Sequence, residues 1–335
     1  MSRLIAIIGQ RRSGLHAVVN WLIGLHPGRV RFVNDPPLDL SPEPSNFNGC
    51  FEYDVSANRI LLRPTLHLLR FEANQLNWSI AARLPWPLNG LVRRIVKKYW
   101  EPKIMRTACV FPELDATGQQ PPDLHLVLFE NLSPREAAAK LPDWLTAYRK
   151  ENGLPTVDCE DIFIVLRSPW NCLASTLKHH VMGVSSSSYS RSLWEILTRA
   201  NRDSGNERWR LVPPEGIGEL WTTYAEELSG ESQHFHPSRW QVRPLLYDTW
   251  MESSTLRDTM AGELDCRPND LGLARIAPYG GGSSFVGIDQ SPENPEDLTK
   301  RWQHYQDHPI MRAMLSSPEI RRLGTKLNIE VPDST

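Results

Sequence analysis

The chain of 335 residues carries 37 Lys and Arg against 39 Asp and Glu, a formal net charge of −2. That balance excludes a general, charge-driven nucleic-acid binder, and the absence of any run of eighteen apolar residues excludes a transmembrane helix. Five cysteines, at 50, 109, 159, 172 and 266, are odd in number and lack metal-ligand spacing, so the expectation is reduced thiols, no bound metal and a cytoplasmic protein.

Leu4 to Ile8 is a short apolar run closed by Gly9, the pattern of a buried strand. After Gly14 the period changes. Leu15, Val18, Val19 and Leu22 fall at i, i+3, i+4 and i+7, the stripe of an amphipathic helix. The stretch GQRRSGLHAVVNWL, residues 9 to 22, therefore turns from strand into helix, where unpaired N–H groups and the helix dipole favour an anion. Gly9 and Gly14 have the spacing of the nucleotide-triphosphatase loop G-x-x-x-x-G-K-[ST]. Here Leu15 and His16 stand where the lysine and the magnesium-binding hydroxyl belong, and the charge lies inside the loop as Arg11 and Arg12, followed by Ser13.

A second strand is predicted to end at Asp35, before a proline-rich loop over 35–49. RPTLHLLRF contains His67. GLVRRIVKKYWEPK, residues 90 to 103, predicts a helix with a basic stripe from Arg93 to Lys98, a solvated face or a contact for an anionic glycan or membrane surface. A second proline-rich loop, 112–123, leads into LHLVLFENL, a strand with Glu130 at its end. CEDIFIVLRSPWNCLAST, residues 159 to 176, runs from an apolar strand through Arg167 to Ser168-Pro169, an N-cap followed by a first-turn proline. Ser175 is two helical turns beyond Ser168, so the two hydroxyls face the same way. Residues 185–190, SSSSYS, are low in complexity. RPLLYDTWMESSTLRDTMAGELDC, 243 to 266, reads as a late strand and helix of the core. Twelve tryptophans, among them Trp78, Trp86, Trp194, Trp209 and Trp240, offer faces for sugar rings as well as packing.

Arg12-Ser13-Gly14 at the first strand-to-helix turn resembles the 5′-phosphosulfate loop of sulfotransferases, roughly [KR]-S-G-T-T, with Leu15 and His16 in place of the threonines. Arg167, followed eight residues later by Ser175, resembles the 3′-phosphate motif of the same family. Tyr247-Asp248-Thr249 departs from the family's Tyr-Glu-Asp, and GGGSSFVG (280–287) and TKRWQHY (299–305) are similar to the segments that close over the donor nucleotide. The resemblance implies an α/β fold: one domain over 1–335, with a central, mostly parallel sheet, helices on both faces and a P-loop-like three-layer arrangement. Insertions around 35–123 and 176–240 would form the acceptor cleft and lid.

It also implies the donor 3′-phosphoadenosine 5′-phosphosulfate (PAPS) and its product adenosine 3′,5′-bisphosphate (PAP). Gly9, Arg11, Arg12, Ser13, Gly14, Leu15 and His16 would hold the phosphosulfate, and Arg167 and Ser175 the 3′-phosphate. Arg301 could pair with a phosphate, although an arginine on a terminal helix is by default exposed. Sulfuryl transfer to a hydroxyl needs charge stabilisation, here by Arg12, and a base. Glu130 stands where the family carries its base, unless it is the carboxylate of a helix start before Pro134. His67 is the rival and Asp35 the third candidate. A glycan or glycolipid is the favoured acceptor. A nucleoside or small-molecule kinase on a related loop, or a nucleotide-binding module without turnover, remain the alternatives.

Overall fold

The computed structural model describes residues 2–39, 41–42, 49–54, 59–63, 122–184, 212–270, 273 and 300–332. The sheet is built from β1 (Arg3–Gly9), β2 (Arg29–Asn34), β3 (Gly49–Asp54), β4 (Arg59–Arg63), β5 (Leu124–Glu130), β6 (Glu160–Leu166) and β7 (Trp240–Leu246). Its order is β4-β3-β2-β5-β1-β6-β7. The run β2-β5-β1-β6-β7 is parallel, whereas β3 and β4 add antiparallel beyond β2. These two strands lie inside the stretch read as a loop insertion. They are too short for their period to stand out among the flanking turns.

Helices cover both faces, which is why the parallel strands are apolar along their length rather than alternating. In β1, Leu4, Ala6 and Ile8 belong to one core, with Leu141 and Trp144 of α2 (Pro134–Glu151), Leu173 of α3 (Pro169–Val184) and Trp221 of α4 (Ile217–Leu228). Ile5 and Ile7 face the other core. It is closed by Leu15, Val18, Val19 and Leu22 of α1 (Leu15–Leu25), the predicted stripe, with α5 (Tyr247–Glu252) and α6 (Ser254–Glu263). The short helices α7 (Pro309–Leu315) and α8 (Pro318–Lys326) complete the first layer through Met311 and Leu323.

α2 starts with a capped first turn. The Ser133 hydroxyl accepts from Glu136 N at 3.3 Å, and Pro134 occupies the first turn. Glu136 is the acid of that first turn, which leaves Glu130 out of the capping role. Trp240, one of the tryptophans considered for sugar stacking, is only 4% exposed and meets Phe235 edge-on, so its ring is packing. Cys159, Cys172 and Cys266 are free thiols. Among the described residues no helix is long and apolar enough to cross a membrane.

Candidate active site

The parallel strands point their carboxyl ends to one edge, the place where open α/β sheets bind ligands. That edge gathers the loop after β1, Asp35 after β2, Glu130 and Asn131 at the end of β5, Arg167 after β6 and Tyr247-Asp248 after β7. Arg12, Asp35 and Asn131 all have positive φ, at 74°, 44° and 56°. Each such residue costs about 1–3 kcal/mol and persists only where neighbours hold it. Asp35 N donates to Leu128 O at 2.7 Å, and its carboxylate accepts from Glu130 N at 3.1 Å. Asn131 N donates to Gly9 O at 2.9 Å while its side chain accepts from Arg11 N at 2.8 Å. Three of the five non-glycine residues with positive φ among the described residues thus lie where the sequence motifs converge.

Gly14 has φ 88°, and a Cβ there would lie 2.0 Å from the Tyr247 ring. No side chain caps α1, so its first amides face the loop without an intrahelical acceptor. Leu15 is turned into the core, leaving only its backbone for a ligand. The Arg12 guanidinium has no hydrogen-bond or ion-pair partner among the described residues. Burial, then the neighbouring Arg11, pull its pKa down, opposed by Glu130. The Ser13 hydroxyl is buried and also unpartnered among the described residues. Arg11 Nε lies 3.3 Å from Glu130 Oε2, and this carboxylate is 12% exposed. Its other oxygen has no partner among the described residues. His16 Nε2 is 3.3 Å from Asn34 Oδ1. Burial is the main reason its pKa is lowered, against the pull of Glu130.

Arg167 is 3% exposed and held on several sides. Its Nε donates to Asp248 Oδ1 at 3.2 Å, its Nη1 to the Arg12 carbonyl at 3.4 Å, and its guanidinium lies 5.1 Å from the Tyr247 ring centre. Trp221 Nε1 of α4 donates to the Arg167 carbonyl at 2.8 Å. Burial acts to lower the Arg167 pKa, but Asp248 and Tyr247 outweigh it and the net shift is upward. Asp248 Oδ2 accepts from Ser168 N at 2.8 Å. Ser168 was expected to cap α3. Its carbonyl does accept from Cys172 N, but its hydroxyl caps nothing. The Ser168 and Ser175 hydroxyls, in residues 4% and 2% exposed, are both unpartnered among the described residues.

Arg301 departs from the default for its position. It is 4% exposed, because the short 3-10 turn Arg301–Tyr305 packs on α3 and Trp302 N donates to Asn171 Oδ1 at 3.3 Å. Its charge reaches Tyr247. The structure thus brings together the loop 9–16, Glu130, Asp35, Arg167, Ser175 and Arg301. His67, the basic stripe 93–98, Trp78, Trp86, Trp194, Trp209 and residues 280–287 lie outside the described residues. Sequence reasoning missed Asp248, Tyr247 and Asn131 as parts of this edge. For Asp248 a signal existed: an acid directly after a strand read as part of the core.

No family model matches the chain, and no curated protein matches it. Among solved structures it is similar to the sulfotransferase domain from the curacin biosynthetic pathway, at 15% identity and a TM-score of 0.37, covering 99% of both chains. It is similar also to the sulfotransferase domain from the Synechococcus PCC 7002 olefin synthase, at 15% identity and a TM-score of 0.37, covering 99% of this chain and 96% of that one.

Proposed function

We propose that this chain transfers a sulfuryl group from PAPS to an acceptor hydroxyl. The observation that carries the reading is the set of unsatisfied donors at the carboxyl edge. Buried polar groups are nearly always hydrogen-bonded, so the Ser13, Ser168 and Ser175 hydroxyls mark places that want a partner, and the half-buried Arg12 guanidinium stands next to the first of them. They fall into two groups, one at the start of α1 and one along the first two turns of α3, which suits a nucleotide with separate 5′ and 3′ anions. Arg12, Ser13 and the first amides of α1 would hold the phosphosulfate. Arg167, Ser168, Ser175 and Arg301 would surround the 3′-phosphate.

In the reaction the acceptor oxygen attacks sulfur in line, and the bond from sulfur to the bridging oxygen of the 5′-phosphate breaks. The hydroxyl proton passes to Glu130, whose unpartnered oxygen is available for it, while Arg11 orients the carboxylate. Arg12 balances the charge that collects on the bridging oxygen as PAP leaves. Asp35 is spent on Glu130 N and positions the strand end. The preference for a glycan or glycolipid acceptor rests on tryptophan content and the basic stripe of the sequence.

PAP should bind at least tenfold more tightly than AMP in calorimetry, since charge-assisted hydrogen bonds of ~1.5–3 kcal/mol each would be lost with the 3′-phosphate. Equal affinities would end the donor reading. Labelled sulfate transfer across a glycan panel should persist in excess EDTA, because the loop lacks both the lysine and the hydroxyl of a magnesium-nucleotide site; a strict magnesium and ATP requirement would favour the kinase. Tight PAP binding with no transfer would favour the module. Glu130→Gln should lower turnover by ~10²–10⁴ with PAP affinity near normal. Retained activity in that variant with loss of activity in His67→Ala would give the role to His67, and activity in both would place the base elsewhere, with Asp35 the next residue to test.

A further inference from the structure

Asp248 sits on β7's side of the site, and both of its carboxylate oxygens are engaged by the second anion-binding turn. One carboxylate oxygen takes the Arg167 Nε–H and the other takes the Ser168 N–H, so the acid fixes the guanidinium and the start of α3 as one unit. The same guanidinium spans to the Arg12 carbonyl in the other turn. Arg12 is the strained residue there, at φ 74°, and the adjoining Gly14 is pressed against Tyr247, the residue before Asp248. A fork of planar donors is needed for such a double contact, which arginine provides and lysine does not.

We propose that Asp248 is a positioning residue that couples the two phosphate subsites. It holds Arg167 so that an anion on the 3′ side and the geometry of the Arg12 loop on the 5′ side depend on each other. The proposal rests on the donor reading above. Asp248 touches neither phosphate in this arrangement; it acts through Arg167 and Ser168. Tyr247 supports the coupling sterically, since its ring lies under the guanidinium and against Gly14 at once.

The test is a cycle of four ligands: adenosine, AMP, adenosine 3′-phosphate and PAP, measured by calorimetry with displacement titrations for the weaker ones. With coupling, the 3′-phosphate improves affinity by a larger factor when the 5′-phosphate is present than when it is absent. The ratio of the two factors should be on the order of tenfold in the unaltered protein, within the usual range of coupling between sites. It should fall to near one in Asp248→Asn, because an amide can accept only one of the two hydrogen bonds. A general loosening of the fold lowers all four affinities together and leaves the ratio intact, so the ratio separates positioning from stability. Should Asp248→Asn not fold, Arg167→Lys serves: it keeps a cation for the 3′-phosphate, loses the fork, and should also bring the ratio to near one. A ratio near one in the unaltered protein, or one unchanged in the variants, overturns the coupling while PAP binding upholds the donor site. Failure of PAP to bind the unaltered protein overturns both.

Discussion

The two turns at the carboxyl edge, residues 9–16 and 166–175, each lead a parallel strand into a helix, yet they hold their arginines in opposite ways. Arg167 is enclosed, with Asp248 as counter-ion, the Arg12 carbonyl as acceptor and Tyr247 beneath it. Arg12 carries a strained backbone and a guanidinium with no partner among the described residues. A buried charge with a counter-ion is a structural element that also has a face for ligand, whereas a charge without one waits for its partner. The contrast divides the labour: the second turn is stable when empty and suits ground-state recognition, and the first suits charge that appears only in the transition state.

Removing each arginine is the sharpest way to break this comparison. Arg167→Ala leaves the Asp248 carboxylate largely buried without its cation, and breaking such a pair costs about 3–5 kcal/mol. Urea unfolding should show a loss on that scale, and PAP should lose most of its advantage over AMP. Arg12→Ala should leave unfolding nearly unchanged and lower sulfate transfer by ~10²–10³, a larger factor than its effect on PAP affinity, because PAP has no sulfuryl group. If the two variants behaved alike in unfolding, the division into a paired and an unpaired arginine would be wrong.

A smaller effect has the opposite sign. Arg12→Gly should stabilise the fold by about 0.5–1 kcal/mol, the left-handed strain relieved less the added flexibility of glycine, while transfer is lost. A drop in stability would show that Arg12 has a structural partner. The smallest effect concerns pH. The His16 pKa lies below its usual 6.5, so the folded protein prefers the neutral ring, and the unfolded chain binds the extra proton first on acidification. The stability this contributes is complete above pH 6.5 and is lost as pH falls through the folded value. His16→Gln should flatten that part of the unfolding profile, and an unchanged profile would assign the acid sensitivity elsewhere. Burial also lowers the His125 pKa, to about 4, and this residue serves as the internal control because it pairs with Tyr148 in the core, away from the site.

Much of the fold was legible because its signals are local. The apolar run of β1, the i, i+3, i+4, i+7 stripe of α1 and the Ser168-Pro169 start of α3 are properties of a few neighbouring residues, and each stands in the structure at the place expected. The sequence by itself determined an α/β chain with two strand-to-helix turns, an arginine at each, and Glu130 at the end of a strand between them. Only the tertiary structure decided which groups those residues would meet. Sheet order put β5 and β6 on either side of β1, and β7 beyond β6, so that Asp248 came to lie against Arg167 across eighty-one positions of chain. The burial of Arg301 and the silent hydroxyl of Ser168 have the same origin. A side chain's partner depends on the packing of distant segments: no window of sequence around Arg301 contains Asn171, and none around Ser168 contains Asp248.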